Sequence, residues 1–419
     1  MGDSWHRQFA RSGHYERLEQ DLEACASLGV TGLRYPVLWE EVESPSGERD
    51  FTYADRAMRY LEQSPMTPIV GLLHHGSGPS STSLDDPQLP ERLADFAEDV
   101  ACRYPWVSDW TPVNEPLTTA RFSGLYGHWY PHANDDPAFV AMLLNEVKAT
   151  ILAMRAIRRV NPDARLIQTE DFGRTGGTRP LRDQIAFDNE RRWLTFDLLS
   201  GRVDRRHPLY GYLTGMGAAD PAELQWIAAN ACPPDILGLN HYPRSNRWLD
   251  HRLDQFHPAF HGGNGRKRYA DVAACDTHLA SQPSLLSLID ETWRRYATPI
   301  AITEVHIYDH FEGQAAWWRA ALAAAEVAAH RGIPVAGVTV WSLLGSFDWD
   351  TLCTTEGDEV TYEPGVFEVH NGERLETPLA EAVRDAAYAV DRDRPHIPWL
   401  GSDLPIPSSA RGIADEAAA

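Results

Sequence analysis

The chain has 419 residues, and 38 Lys plus Arg against 60 Asp plus Glu give a formal net charge of −22. Such a polyanion repels nucleic acid and anionic membrane surfaces, so the reading excludes both as partners. A hydrophobic fraction of 43% with 23% charged residues is that of an ordinary globular protein and excludes a disordered or fibrous chain.

The amino terminus, Met1 to Arg17, carries no apolar core of signal-peptide length, and no later stretch reaches ~18 uninterrupted apolar residues. Five cysteines, Cys25, Cys102, Cys232, Cys275 and Cys353, form no C-x-x-C pair and are odd in number. They read as buried or free thiols of a reducing compartment, so a cytoplasmic protein is expected.

From Tyr15 the pattern alternates between helical periodicity and short β-rich runs. Leu18, Leu22, Cys25 and Leu28 recur at helical spacing, Gly29 stops the helix, and Gly32 to Val37 follows as a strand. Helices near 53–63 and 89–104 lead to strands at 68–73 and 107–113. A long helix carrying Val140, Leu144, Val147, Ile151 and Met154 ends before Asn161-Pro162 and precedes a strand at 165–169. Helices near 182–199 and 221–230 lead to 235–240; those near 285–296 and 314–331 lead to 299–303 and 335–341; a last helix covers about 379–390. The stretch from His251 to Gln282, with HGGNGRKR inside it, reads as one long loop.

Strands separated by helices imply right-handed parallel βαβ units, and their repetition over this length predicts a (β/α)8 TIM barrel of the α/β class. Seven strands are visible. The eighth has to precede the Tyr15 helix, where Trp5 to Ala10 is a poor strand, leaving a shortened start or a substitute segment to close the barrel. A doubly wound sheet is the alternative, but Gly215-x-Gly217 lacks a third glycine and follows no strand. The expected organisation is one catalytic barrel over 1–391 and a Pro-rich, then disordered, tail over 392–419.

Barrel enzymes draw their reactive side chains from the carboxyl ends of the strands. Two such ends stand out for their carboxylates: Thr111-Pro-Val-Asn-Glu-Pro116 and Ile302-Thr-Glu304. Either Glu alone could be a helix cap or half of an ion pair. Together, across one mouth, they are what glycoside hydrolysis needs, one protonating the leaving oxygen and the other attacking or activating water. Glu170-Asp171 is a competing acidic pair at another strand end. His74-His75 and His128 with His132 lack a carboxylate or Cys to complete a metal set, so no metal and no organic cofactor is expected.

The ordered segments DLEACASLGVTGLRYPVLWEEVE, TPVNEP, SGLYGHWYPH, GLNHY, ITE and WSLLGSFDW resemble glycoside hydrolase family 1, the β-glucosidase family, from about Leu22 to Arg384. The resemblance implies a retaining β-glycosidase with Glu115 as general acid/base and Glu304 as nucleophile. It implies that Arg34 pairs with the nucleophile, Tyr242 donates a hydrogen bond to it, and Asn114 holds the sugar 2-hydroxyl. Trp341 is the implied stacking floor, with His75, Asp348 and Trp349 binding the glycone hydroxyls. Without the motifs, Tyr242 and Trp341 read as core aromatics and Arg34 as half of a structural ion pair.

Departures from the family fall on the glycone side. Val305-His306 stands where the family has Asn-Gly, His75-Gly76-Ser77 replaces His-Trp-Asp, Asp348-Trp349 replaces Glu-Trp, and the Gln of the family's first strand has no counterpart. A glycone other than standard glucose is therefore expected. A transglycosidase using the same covalent intermediate and a non-catalytic carbohydrate-binding relative are the alternatives. Divergent members occur with a sugar-nucleotide reductase-like domain, so the resemblance also implies such a partner as a separate protein.

Overall fold

The computed structural model describes residues 8–277, 283–355 and 359–388. Seven strands form one parallel sheet in chain order: β1 (Gly32–Pro36), β2 (Thr67–His74), β3 (Asp109–Asn114), β4 (Arg165–Asp171), β5 (Ile236–His241), β6 (Ile300–Val305) and β7 (Val335–Val340). The strands lie within a few residues of the predicted ones because each is a short β-rich run that follows a helix and its stop. Gly29, for instance, takes φ of +77° after the helix Leu18–Ser27, a conformation that glycine adopts without steric penalty.

The sheet curls into a barrel. Ile69, Ile167, Ile236, Ala301 and Ala336, one from each of five strands, pack as a single apolar cluster. Gly238 leaves no room for a side chain, since a Cβ there lies 2.7 Å from Thr303 Oγ1 and 2.9 Å from Thr169 Cγ2. The interior is thus filled by side chains, as in closed eight-stranded barrels, and the strand ends above it form the mouth.

Among the described residues β1 and β7 do not pair, and the barrel is open along that seam. Residues Gln8–Ala10 of the segment read as a poor strand belong to the short helix Gln8–Ser12 instead. Gln8 donates to the Phe347 carbonyl at 2.9 Å and accepts from the Phe347 N–H at 2.9 Å, pinning that helix to the barrel mouth. A cavity of about 760 Å³ runs from the mouth into the seam, where Leu22, Leu33, Trp318, Leu322, Val338 and Val383 line it.

Two expectations are corrected. The predicted helix over 182–199 is two helices, Arg182–Arg191 and Leu194–Leu199, broken where the Arg192 guanidinium lies over Phe172 and Trp193 and donates to the Gly173 carbonyl. The predicted long loop from His251 is largely structured. His261–Gly263 and Arg268–Ala273 form an antiparallel hairpin that joins Arg247–Asp250 and Thr175–Gly177 in a four-stranded sheet. These strands are too short and too charged to show a clear alternation; residues 278–282 lie outside the described part. So do the last two residues of the predicted last helix, seen as Pro378–Tyr388, and the whole tail over 392–419.

The 25-residue helix Asp136–Val160 is long and apolar enough to span a membrane by composition, yet 72% of its most apolar window is buried inside the molecule. Its N-terminus is capped by Asp135, which accepts from the Ala138 N–H at 2.8 Å, and its apolar face packs on the helix Leu89–Arg103. It is the core helix of this fold.

Candidate active site

The strand ends bring together most of the residues singled out in the sequence. Arg34, on β1, reaches across the mouth: Nη1 donates to Glu304 Oε1 at 2.5 Å and to the Thr303 carbonyl at 3.1 Å, and Nη2 donates to Asn114 Oδ1 at 2.6 Å. Tyr242, just past β5, donates its hydroxyl to Glu304 Oε2. Both oxygens of Glu304 are therefore held, one by a cation and one by a phenol. A shift of register between β6 and β5 at Ile302/Glu304 accompanies this placement, the kind of bulge that re-aims a side chain at the rim of a barrel.

Glu115 occupies a different setting. It follows β3 in a left-handed backbone conformation, φ +46°, and Pro116 starts the short helix Pro116–Ala120 immediately after it. A non-glycine residue in this region is strained, and such strain gathers at functional sites. Its Oε1 accepts from Asn240 Nδ2 at 2.5 Å, and Asn240 is fixed in turn by a 2.6 Å bond from Thr303 Oγ1 to its Oδ1. Burial is the largest influence on the carboxyl, and the charges of Glu304, Asp171 and Glu170 add to it. Together they hold it well above the ordinary carboxylate range, against the opposing Asn240 bond.

Asn114 and His75 link the two centres. Asn114 Oδ1 accepts from Thr169 Oγ1 at 2.8 Å as well as from Arg34, which fixes the amide orientation. Its Nδ2 then faces His75 Nε2 at 3.3 Å, so that nitrogen is the acceptor and the His75 proton sits on Nδ1, 3.0 Å from Thr119 Oγ1. His75 Nε2 is also 3.5 Å from Glu115 Oε2.

Aromatic rings enclose the mouth. Trp341 meets Tyr242 and Trp349 edge-on at 6.2 and 5.8 Å, and Trp349 meets His75 at 5.7 Å and Trp129 at 6.4 Å. All four of these Trp and His residues line the cavity. Asp348 behaves differently: it is buried with φ +66°, its Oδ1 accepts from Thr351 Oγ1 at 2.8 Å, and its Oδ2 accepts from the Thr355 N–H at 2.9 Å. Its carboxylate is turned into its own loop rather than into the cavity.

The competing acids have structural surroundings. Glu170 is fully buried, accepts from the Leu117 N–H and from Thr195, and is pushed up to about 8 by burial. Asp171 accepts from Ser245 Oγ. His74 is held neutral by burial, which pushes it down to about 3. No cluster of three or more His, Cys, Asp or Glu able to hold a metal occurs among the described residues.

Sequence reasoning assigned no role to Asn240, Thr169, Trp129 or His306. Asn240 was accessible in principle, because period two in an extended chain puts it on the face of Tyr242. His306 meets Trp341 edge-on at 5.0 Å and pairs with Glu363 at 2.8 Å, a contact between residues 57 apart that no local pattern signals.

Residues 4–355 match the model of a family described as glycosyl hydrolase family 1. β-Glucosidase A of Thermotoga maritima is 23% identical over 384 residues, covering 80% of this chain and 78% of the relative. β-Glucosidase 42 of Arabidopsis thaliana is 22% identical, covering 80% and 76%. A relative described as probable inactive β-glucosidase 14, from Oryza sativa, is 23% identical over 261 residues, covering 55% of this chain and 49% of its own. In structure, the chain is similar to the β-glucosidase from Thermotoga maritima in complex with azafagomine, with a TM-score of 0.73 at 18% identity, covering 90% of this chain and 86% of that one. That likeness shows the barrel fold shared with this family. With the match spanning most of the sequence and the paired glutamates at its strand ends, the chain belongs to glycosyl hydrolase family 1 and is a glycoside hydrolase.

Proposed function

We propose that the protein is a retaining β-glycosidase in which Glu304 is the nucleophile and Glu115 the acid/base. The reading rests on one observation: two carboxyls of one mouth have opposite environments. Glu304 lies between a guanidinium and a phenol that both donate to it, whereas Glu115 is buried and held above the usual range in the field of Glu304. This is the separation of roles that double displacement needs.

In the first step a Glu304 oxygen forms a bond to the anomeric carbon as the glycosidic bond breaks. Glu115 delivers its proton to the departing oxygen. In the second, water attacks the anomeric carbon, Glu115 takes its proton and the Glu304 ester bond breaks. Formation of the ester removes the Glu304 charge that, added to burial, holds Glu115 in its protonated form, so the same residue can act as a base in the second step. Asn114, held by Arg34 and Thr169, presents its amide N–H to the sugar 2-hydroxyl, and Trp341 supplies an apolar face for the ring. The altered wall at Gly76 and Ser77 and the turned-in Asp348 support a glycone other than standard glucose.

A panel of 2-deoxy-2-fluoro glycosides with dinitrophenolate leaving groups tests the assignment. One member is expected to inactivate the enzyme with a single glycosyl adduct on the peptide containing Glu304. An adduct elsewhere overturns the nucleophile assignment.

A further inference from the structure

Glu40 is an acid in the cavity wall that the reaction leaves without a task. It sits in the one-turn helix Trp39–Val42 directly after β1 and lines the same cavity as His75, Trp129, Trp341 and Trp349. Its Oε2 is buried and has no hydrogen-bond partner among the described residues. Its Oε1 lies 2.9 Å from the position a Cβ at residue 76 would take. Any side chain at 76 therefore competes with this carboxyl for one volume, and glycine there leaves the volume to Glu40.

These facts join two departures noted in the sequence. The large aromatic residue that the family carries next to its strand-end His is absent, and a carboxyl contributed by the preceding strand's loop stands in its place. Meanwhile Asp348 has both oxygens committed to Thr351 and Thr355. The glycone wall has thus lost one acidic acceptor and gained another. Burial, with the charge of Glu41 adding to it, pushes the Glu40 carboxyl up to about 7. A buried acceptor left unsatisfied costs free energy, and a ligand that brings donors to it recovers that loss.

We propose that Glu40 is a specificity-determining residue of the glycone subsite, its carboxyl accepting hydrogen bonds from ring hydroxyls of the sugar in the space vacated at Gly76. The inference rests on the glycosidase reading and deepens it by naming what selects the sugar. It makes the preferred glycone one with free hydroxyls on the edge that faces the β1–β2 side of the mouth.

The test compares the wild type with Glu40→Gln, Glu40→Ala and Gly76→Ala. The substrates are 2,4-dinitrophenyl β-D-glucoside, β-D-galactoside and β-D-mannoside and, for the best of them, its 3-, 4- and 6-monodeoxy analogues. For the best parent sugar, Glu40→Ala is expected to lower kcat/KM by roughly ten- to hundredfold, the range for a hydrogen bond to an ionisable group. One deoxy analogue should be a poor substrate of the wild type and lose nothing further in Glu40→Ala. Gly76→Ala, which places a methyl group against Oε1, should reproduce that pattern with the carboxyl still present.

Equal losses on parent and all deoxy analogues, or no loss on any, overturn the proposal. Thermal melting of each variant and its labelling by the matching 2-fluoro glycoside distinguish the levels. If the wild type is neither turned over nor labelled by any sugar of the panel, the glycosidase reading itself fails and this one with it. If it is labelled and active while Glu40→Ala keeps the wild-type selectivity, only the role of Glu40 falls.

Discussion

Glu115 shows how one side chain acquires its chemistry from its neighbours. An isolated carboxyl is ionised at neutral pH and useless as an acid. Buried beside Asn240 and in the field of Glu304, it keeps its proton until the pH rises well above the ordinary carboxylate range. The alkaline limb of kcat/KM should therefore track Glu115, with activity lost as pH rises and the proton leaves. Glu115→Ala should erase that limb and slow glycosides selectively. Alkyl glycosides, whose leaving oxygen needs the proton, are expected to lose roughly 10²- to 10⁴-fold, and dinitrophenyl glycosides far less in the glycosylation step. A leaving-group series under single-turnover conditions gives the measurement, and uniform slowing contradicts the role.

At the scale of elements, the sequence was legible where structure is local. A helix period, a glycine stop and a buried apolar run located all seven strands, and strand ends are where a barrel puts its reactive groups. What escaped depends on contacts between distant segments. The hairpin His261–Ala273 exists because Arg247–Asp250 offers it an edge, which nothing inside HGGNGRKR announces. Nothing local singles out Glu40, because the room for its carboxyl is made by Gly76, just past the next strand. The turn after β4 works similarly. A Cβ on Gly173 falls 2.0 Å from the Ser245 carbonyl oxygen and 2.7 Å from the Asn246 nitrogen, both backbone atoms that cannot swing aside. Ser245 Oγ accepts from the Tyr242 N–H at 3.1 Å, and Tyr242 holds Glu304. Gly173→Ala is expected to lower stability by about 1–3 kcal/mol in denaturant titration and to lower kcat as well, by moving the phenol off the nucleophile. Unchanged melting and unchanged kcat together would show that the two turns can separate freely.

The whole molecule carries a cost of its own, set by an acid far from solvent. Glu146 lies on the core helix Asp136–Val160, is fully buried, and has both carboxyl oxygens without partners among the described residues. Burial, with repulsion from Glu170 added, holds it well above its ordinary value of 4.5. The folded state therefore keeps a proton that the unfolded chain releases above about pH 4.5, and the sign follows from that imbalance. Below this value Glu146 contributes no penalty. Above it the folded state loses about 1.4 kcal/mol per pH unit, relative to a neutral residue, until the buried group ionises. Glu146→Gln keeps the size and removes the titration. Its advantage over the wild type in urea denaturation should be small at pH 5 and should widen as the pH rises above it, until the buried carboxyl ionises. The slope distinguishes titration from packing, because a change in packing shifts stability by the same amount at every pH. A constant difference would mean that Glu146 finds a counter-charge or water within the core and stays ionised there.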